Sequence, residues 1–163
     1  MVKYDERRLV MRMLARWTDI KGDRALPALS DIDPQAIGED WRCCAVVAVG
    51  ADQASSRFSY VGAELMPEGD PVTGLEVREI AANTLLGAAA ANLDWVLDRR
   101  VPLSLGGEMV ARQGLFLYRY ILLPLSEDGV RLDHVLIVAN GRAVAAGATA
   151  ERQESRESAE SAP

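Results

Sequence analysis

Apolar residues near the N-terminus recur at the spacing of one helix face. They are Leu9, Val10, Met13, Leu14 and Trp17, and the arginines at positions 7, 8, 12 and 16 lie largely off that stripe. The pattern predicts an amphipathic helix that ends before Lys21-Gly22. Such a helix needs an apolar surface to cover, either its own sheet or that of a partner. We expect Leu9, Met13 and Trp17 to form an interaction surface.

The next segments have the pattern of strands. Residues 43–49 form an apolar run rich in β-branched side chains, and residues 57–61 alternate between polar and apolar. Gly50 and the polar residues that follow it separate the two runs, which predicts a hairpin. In the turn-rich segment before them, Asp33-Pro34 is typical of a helix start, with the aspartate as cap and the proline in the first turn.

The second half of the chain predicts one long helix and three further strands. Residues 78–100 contain no proline and one glycine, and one face carries Leu85, Ala89, Leu93, Val96 and Leu97. Strands are predicted at 103–112, with a bulge at Gly106-Gly107, and at 115–125 and 130–139, joined by turns at 113–114 and 127–129. Tight turns between consecutive strands require antiparallel pairing. The predicted fold class is therefore α+β, a five-stranded antiparallel sheet with helices on one face plus the N-terminal amphipathic helix.

Composition restricts the class of protein. The chain has 163 residues, enough for one domain with its own core. Its 18 Lys plus Arg and 24 Asp plus Glu give a net charge of −6, the wrong sign for a surface that grips nucleic acid. No apolar run has the length of a membrane span or a signal sequence, and the adjacent Cys43 and Cys44 cannot build a disulfide framework. We expect a cytoplasmic protein that neither binds nucleic acid nor spans a membrane.

The chain divides into three parts. Residues 1–22 form the N-terminal helix, residues 23–142 the domain, and residues 143–163 a tail whose last 13 residues contain no large apolar side chain. Because such a segment cannot offset the entropy lost on ordering, we expect a disordered acidic tail.

Three segments match the motifs of one protein family. Trp17 lies in the first helix, and the segment 27–34, PALSDIDP, follows it. The second predicted strand ends in Val61-Gly62, and residues 118–129 read YRYILLPLSEDG. These segments resemble a PAS-like family common in alphaproteobacteria, first described as a domain of unknown function. The resemblance covers residues 17–141, and the order of predicted elements is that of PAS domains.

The resemblance implies a fold and a class of function. It implies a PAS-like fold, a sensory or protein-interaction role, an apolar pocket between sheet and helices, and a homodimer formed through the N-terminal helix. It does not imply one ligand common to the family.

Four residues are candidates for a ligand site. Arg119 lies on the strand face opposite Tyr118 and Tyr120. On a concave face Arg119 could hold a carboxylate or phosphate, whereas on the outer face we expect it to pair with a Glu or to lie under the N-terminal helix. The aromatic stripe of Phe116, Tyr118 and Tyr120 is typical of sheet packing. His134, the single histidine, is the one candidate for a haem ligand, although a histidine of the core or edge is the default interpretation.

The sequence indicates no cofactor, metal site or catalytic site. It lacks the glycine-rich phosphate loops and the ligand pairs of zinc sites. Cys43 and Cys44 lie outside a flavin-photosensor motif, and we expect both to be small buried side chains. Asp133-His134 is the only acid–imidazole pair, and neighbours in a strand face opposite sides, so we expect no direct cooperation between them.

These observations favour a sensor over an enzyme. We predict a stand-alone PAS-fold sensory or adaptor module that acts in signal transduction by binding a small ligand, a partner protein or both. Two alternatives remain open: a protein-interaction module without a ligand, and a small isomerase-type enzyme with a cone-shaped cavity.

Overall fold

The five predicted strands pair into one antiparallel sheet. They are β1 (Cys44–Ala48), β2 (Arg57–Val61), β3 (Leu103–Ala111), β4 (Gly114–Leu125) and β5 (His134–Ala143), in the order β2-β1-β5-β4-β3 across the sheet. The computed structural model describes residues 5–52, 54–66, 73–111 and 114–144. The predicted α+β fold class, built on one five-stranded antiparallel sheet, is confirmed.

Helices lie on both faces of the sheet. They are α1 (Asp5–Lys21), α2 (Pro34–Ile37), α3 (Leu85–Ala90) and α4 (Leu93–Arg99), with 3₁₀ turns at Leu29–Asp31, Gly38–Cys43, Ala63–Leu65 and Val77–Glu79. α3 and α4 pack on one face of β4 and β5, and α1 packs on the other. The N-terminal helix therefore covers the face that the later helices leave open.

Side chains of β4 alternate between two apolar clusters because successive residues of a strand point to opposite faces. Tyr120 and Leu122 join the cluster under α3 and α4, whereas Ile121, Leu123 and Leu125 join the cluster under α1. This burial on both faces explains why the sequence of β4 becomes continuously apolar after Arg119.

The predicted single helix over 78–100 is wrong. The chain instead forms α3 and α4, which are separated at Ala91 and Asn92. The Thr84 hydroxyl accepts a hydrogen bond from the Gly87 N–H at 3.0 Å. Thr84 is therefore the N-cap of α3, and the helix begins after it instead of running through it. α4 ends where Arg100 adopts a left-handed conformation at φ 59°.

The predicted bulge at Gly106-Gly107 is also wrong. β3 pairs with β4 in unbroken register from Leu103 opposite Leu122 to Ala111 opposite Gly114. The register shifts instead between β1 and β2, where Val46 lies opposite Tyr60 and Val47 lies opposite Phe58.

The last strand begins later than the predicted 130–139. The carboxylate of Asp128 accepts hydrogen bonds from the backbone of Val130 and Arg131 at 2.8 and 2.7 Å, and it keeps those residues in the turn. The backbone N–H of Arg131 contributes most to lowering the pKa of Asp128 below its ordinary value. β5 then runs to Ala143, and the N–H of Val144 bonds to the Leu115 carbonyl at 2.8 Å, past the predicted end of the domain at 142.

Other predictions for turns and termini have mixed outcomes. Asp33 caps α2 as predicted, since its carboxylate accepts the Gln35 N–H at 2.9 Å and Pro34 occupies the first turn. The predicted turn residue Gln113 and the tail from residue 145 onward lie outside the described residues. None of the described helices has the length and apolar composition needed to cross a membrane.

The break before α3 is tested by removing its cap. We expect Thr84→Ala to lower the free energy of unfolding by about 1 kcal/mol, because the Gly87 N–H loses its acceptor. Thr84→Ser, which keeps the hydroxyl, is the matched control and should stay near wild type. Urea unfolding followed by circular dichroism measures both, and an alanine variant as stable as the serine variant would contradict the cap.

Candidate functional site

α1 is held on the sheet by an apolar stripe and one long-range hydrogen bond. Leu9, Val10, Met13 and Trp17 are buried against side chains of β1, β4 and β5. The indole Nε1–H of Trp17 donates to the Pro124 carbonyl at 2.9 Å. This bond joins residues 107 positions apart, so it fixes where along β4 the helix lies.

The predicted interaction surface is therefore part of the protein's own core. Leu9, Met13 and Trp17 are 3%, 2% and 6% exposed, respectively, and they face their own sheet. A homodimer built on these three side chains requires α1 to leave the sheet. The outward face of α1 instead carries Met11 and Leu14.

The segment after α1 is tied to the end of β4. The Ser126 N–H donates to the Pro27 carbonyl at 2.8 Å. The backbone N–H and the hydroxyl of Ser30 donate to the two carboxylate oxygens of Glu127 at 3.0 and 2.9 Å. Trp17 and the segments 26–31 and 124–127, together the α1 docking region, thus form one connected unit. The first two motif elements of the chain thus meet the motif of β4, about a hundred residues later in the sequence.

A charged turn stabilises the same region. The Asp31 carboxylate accepts the Ala28 N–H at 3.0 Å and pairs with the Arg24 guanidinium at 2.8 Å. The Ala28 N–H, followed by Arg24, lowers the pKa of Asp31 below its ordinary value. This turn directs the chain from α1 back across the end of the sheet.

Pro124 occupies a place in β4 that tolerates the loss of a backbone donor. It pairs with Val135 of β5, while β3 begins only at Leu103, opposite Leu122. The side of β4 facing away from β5 therefore has no strand neighbour at Pro124, as expected for a proline within a sheet. Its carbonyl oxygen is the atom that Trp17 uses.

Tyr118 and Tyr120 lie on the opposite face, towards α3 and α4. Their rings stack with centroids 6.0 Å apart and planes 11° apart. The Asn92 side-chain amide donates to the Tyr120 hydroxyl at 2.7 Å, which links the junction between α3 and α4 to the sheet. Burial is the main cause that raises the pKa of Tyr120 above its ordinary value.

The aromatic stripe uses neighbouring glycines as packing space. A Cβ at Gly107 would lie 2.7 Å from the Tyr118 hydroxyl oxygen, and a Cβ at Gly141 would lie 2.4 Å from the Phe116 ring. The rings of β4 therefore extend sideways over β3 and β5. This arrangement agrees with the prediction of sheet packing for the stripe.

Arg119 lies on the α1 face but is exposed. With Gly106, Leu117 and Arg142 it lines an open groove of ≈ 370 Å³. No ion pair within the described part of the chain involves Arg119. The predicted pairing with a Glu is therefore not observed, and the guanidinium is open to the solvent.

The prediction that Asp133 and His134 do not cooperate is wrong. His134 Nδ1 lies 2.7 Å from one carboxylate oxygen of Asp133, at the beginning of β5 where the chain leaves its turn. The other carboxylate oxygen of Asp133 accepts the Glu127 N–H at 2.8 Å. The pair is thus part of the turn that carries Glu127.

The four ligand candidates do not form one site. In the register of β4 and β5, Arg119 lies opposite Asn140, and His134 lies opposite Leu125. Leu125 is six residues further along β4 than Arg119. At about 3.3 Å per residue, this separates the two by roughly 20 Å. Tyr118 and Tyr120 lie on the other side of the sheet.

The cysteines behave as the sequence predicts only in part. Cys44 is fully buried under α1, and burial raises the pKa of its thiol far above the ordinary value. Cys43 is half-buried, and burial again is the largest cause of its raised pKa. Within the described residues, no group of three His, Cys, Asp or Glu side chains is placed to hold a metal ion.

Sequence reasoning missed two of the residues that organise these faces. The predicted helix over 78–100 includes Asn92, and only the break between α3 and α4 brings its amide to Tyr120. The role of Pro124 had a detectable signal, because a proline within a strand-like run indicates a position without a neighbour on one side.

Comparisons with known proteins identify similar folds but no family. No family model and no curated protein matches the chain. A sensory box sensor histidine kinase from Vibrio cholerae is similar in structure, with a TM-score of 0.40, 14% identity, and coverage of 87% of this chain and 99% of that chain. An RNA-binding light-oxygen-voltage receptor gives a TM-score of 0.41 and 16% identity over 73% of this chain and 35% of that chain. Likenesses of this extent do not assign a function.

The Trp17 hydrogen bond is tested by Trp17→Phe, which keeps an aromatic ring but removes the N–H. We expect a loss of about 1–3 kcal/mol in the free energy of unfolding, because the Pro124 carbonyl loses its partner in a buried position. Trp95→Phe, at an exposed position of α4, is the matched control. If chemical denaturation gives the same midpoint for both variants, the bond does not hold α1.

Proposed function

We propose that the chain is a PAS-like sensory or adaptor module of signal transduction, which binds a small ligand, a partner protein or both and reports binding through the docking of α1. The observation that supports this proposal is the shared use of β4. Residues of this strand contact α3 and α4 on one face and α1 on the other. A change on one face therefore reaches the other through a single strand.

The Asn92–Tyr120 hydrogen bond is the proposed sensing contact. It connects the α3–α4 junction to β4 at 2.7 Å, and the next residue, Ile121, packs under α1. A ligand that enters between these helices and the sheet competes for this bond and displaces β4. The displacement then weakens the fit of α1, and the equilibrium shifts towards a state with α1 released.

The outward face of α1 is the proposed surface for a partner protein. Met11 and Leu14 are 69% and 36% exposed, and their spacing of three places them on one side of the helix. On another side of the helix, α1 and the segment 31–36 line an open groove of ≈ 600 Å³ that includes Ala15, Ile20 and Asp31. An exposed apolar pair and a charged groove on the same helix suit a partner with both apolar and charged side chains.

One observation favours the alternative of an interaction module without a ligand. Phe58, Leu86, Leu93 and Leu122, which lie between the sheet and the later helices, are all fully buried. A ligand on that face must therefore displace packed side chains. In this alternative the outward face of α1 works alone, and α3 and α4 only complete the core.

Native mass spectrometry of the purified full chain, with a visible absorption spectrum, separates these two functions. The sensor proposal predicts a stoichiometric small-molecule mass on the protein, or one acquired from a metabolite extract. A mass that equals the polypeptide alone, before and after exposure to the extract, would favour the interaction module.

The proposed link between the two faces is tested by Tyr120→Phe. Removal of the hydroxyl leaves the Asn92 amide with its longer hydrogen bond to the Ala88 carbonyl and breaks its link to β4. We therefore expect backbone amides of α1 to exchange hydrogen faster. Tyr118→Phe, on the same strand face, is the matched control. Hydrogen exchange followed by mass spectrometry reads each segment separately. Unchanged exchange in α1, with faster exchange confined to α3 and α4, would contradict the coupling.

A further inference from the structure

The two edges of the sheet differ in how they are covered. At the β2 edge, the Phe58 N–H donates to the Leu75 carbonyl, the Gly74 N–H donates to the Phe58 carbonyl, and Arg57 forms a bridge with Glu76. At the other edge, β3 pairs with β4 on one side. Within the described residues, no segment pairs with the outer side of β3.

The sequence of β3 lacks the devices that protect an edge strand. Its nine residues, LSLGGEMVA, contain neither proline nor lysine, its register has no bulge, and Glu108 is its one charged residue. Leu105 and Val110 are 43% and 82% exposed. A long, regular and apolar edge of this kind is a template for pairing with another strand.

We propose that the occupant of this edge is a second copy of the chain, whose β3 pairs antiparallel with the first about a two-fold axis at Gly107. Such an axis, perpendicular to the sheet, places Gly107 opposite Gly107 of the second copy. Gly106 then faces Glu108 of the second copy, and Leu105 faces Met109. Two five-stranded sheets join into one of ten strands. This interface does not depend on the function proposed above.

Charge supports this register. Arg119 pairs with Gly106 across β3 and β4, and its Cγ lies 3.3 Å from the position that a Gly106 Cβ would occupy. The arginine side chain therefore passes over Gly106 towards the open edge. Glu108 of the second copy lies one strand spacing further, about 4.8 Å away, on the same face. The two-fold axis forms this Arg–Glu pair twice.

Neighbouring registers lose this match. An axis at Glu108 sets the two glutamates directly opposite each other, which is destabilising. An axis at Gly106 sets Glu108 opposite Ser104, and Ser104 is paired with Ile121 of β4 rather than with Arg119. The register centred on Gly107 places each Glu108 carboxylate beside Arg119 of the other copy.

On the other face of the paired strands, the Tyr118 ring explains why residue 107 is also a glycine. The Tyr118 hydroxyl oxygen lies 2.7 Å from the position of a Gly107 Cβ, so the ring covers this glycine and reaches the edge. With Gly107 on the axis, Tyr118 rings from both copies meet above a pair of residues without side chains. Leu105 of each copy gains an apolar neighbour in Met109 of the other.

Charge reversal measured by sedimentation velocity tests the pairing. We expect the wild-type chain to be a dimer at micromolar concentration, and Glu108→Arg or Arg119→Glu each to raise the dissociation constant on the order of tenfold, since two pairs become repulsive. The double variant E108R/R119E restores the opposite charges and should recover most of the affinity. Arg99→Glu, exposed on α4, is the control for net charge. A wild-type monomer, or a double variant that is no tighter than the single ones, overturns the proposal.

A cross-link tests the register independently of affinity. The axis at Gly107 places Ser104 opposite Val110 of the second copy, within the Cα separation that a disulfide accepts. The double variant S104C/V110C should oxidise to a covalent dimer whose peptide map joins residues 104 and 110. A folded double variant that gives no such link, or a Glu108→Arg dimer whose dissociation constant equals that of the wild type, would overturn the β3 interface and leave the outward face of α1 as the contact between copies.

Discussion

The docking of α1 through Trp17 and Pro124 is the constraint on which the rest of the structure depends. The strands β1, β4 and β5 carry apolar side chains on both faces of the sheet, and α3 and α4 cover one of these two faces. Without α1, residues such as Ile121, Leu123 and Leu136 would face water. The indole hydrogen bond sets the position of the helix, and the α1 docking region returns the chain to β1 from that position.

This constraint makes β4 one of the strands that both faces share. Its residues up to Arg119 extend past the helices and remain partly exposed, whereas those from Tyr120 onward are buried on both sides. One strand thus combines a packed half, which contacts α1 on one face and the α3–α4 cluster on the other, with an open half beside the edge strand β3. The proposed sensing and the proposed self-association use different halves of the same sheet.

Local patterns predicted the elements better than they predicted the sites. The β1–β2 hairpin, the capping of α2 by Asp33 and the five-stranded sheet follow from alternation, turn residues and one proline, all of which act over a few positions. The single helix over 78–100 failed because the Thr84 hydroxyl competes for a backbone donor. Gly106 and Gly107 suggested a bulge, yet they provide room for side chains of a neighbouring strand, which is set by register rather than by sequence spacing.

The candidate site residues show the same limit. Alternation correctly put Arg119 and the two tyrosines on opposite faces, but it did not show how far along the sheet the helices reach. The apolar stripe of α1 was correctly predicted as one face of a helix. Whether that face packs on its own sheet or on a partner depended on contacts between residues more than a hundred positions apart. Long-range packing decides such questions.

The most direct measurement of the central claim is the hydrogen-exchange rate of the three indole N–H groups in a ¹⁵N-resolved NMR spectrum of the full chain. If α1 is docked as described, the Trp17 indole exchanges at the rate of the most protected core amides, whereas the indole of the exposed Trp95 exchanges rapidly. A Trp17 indole that exchanges as fast as that of Trp95 would show that the helix is not held on the sheet, and it would contradict the account.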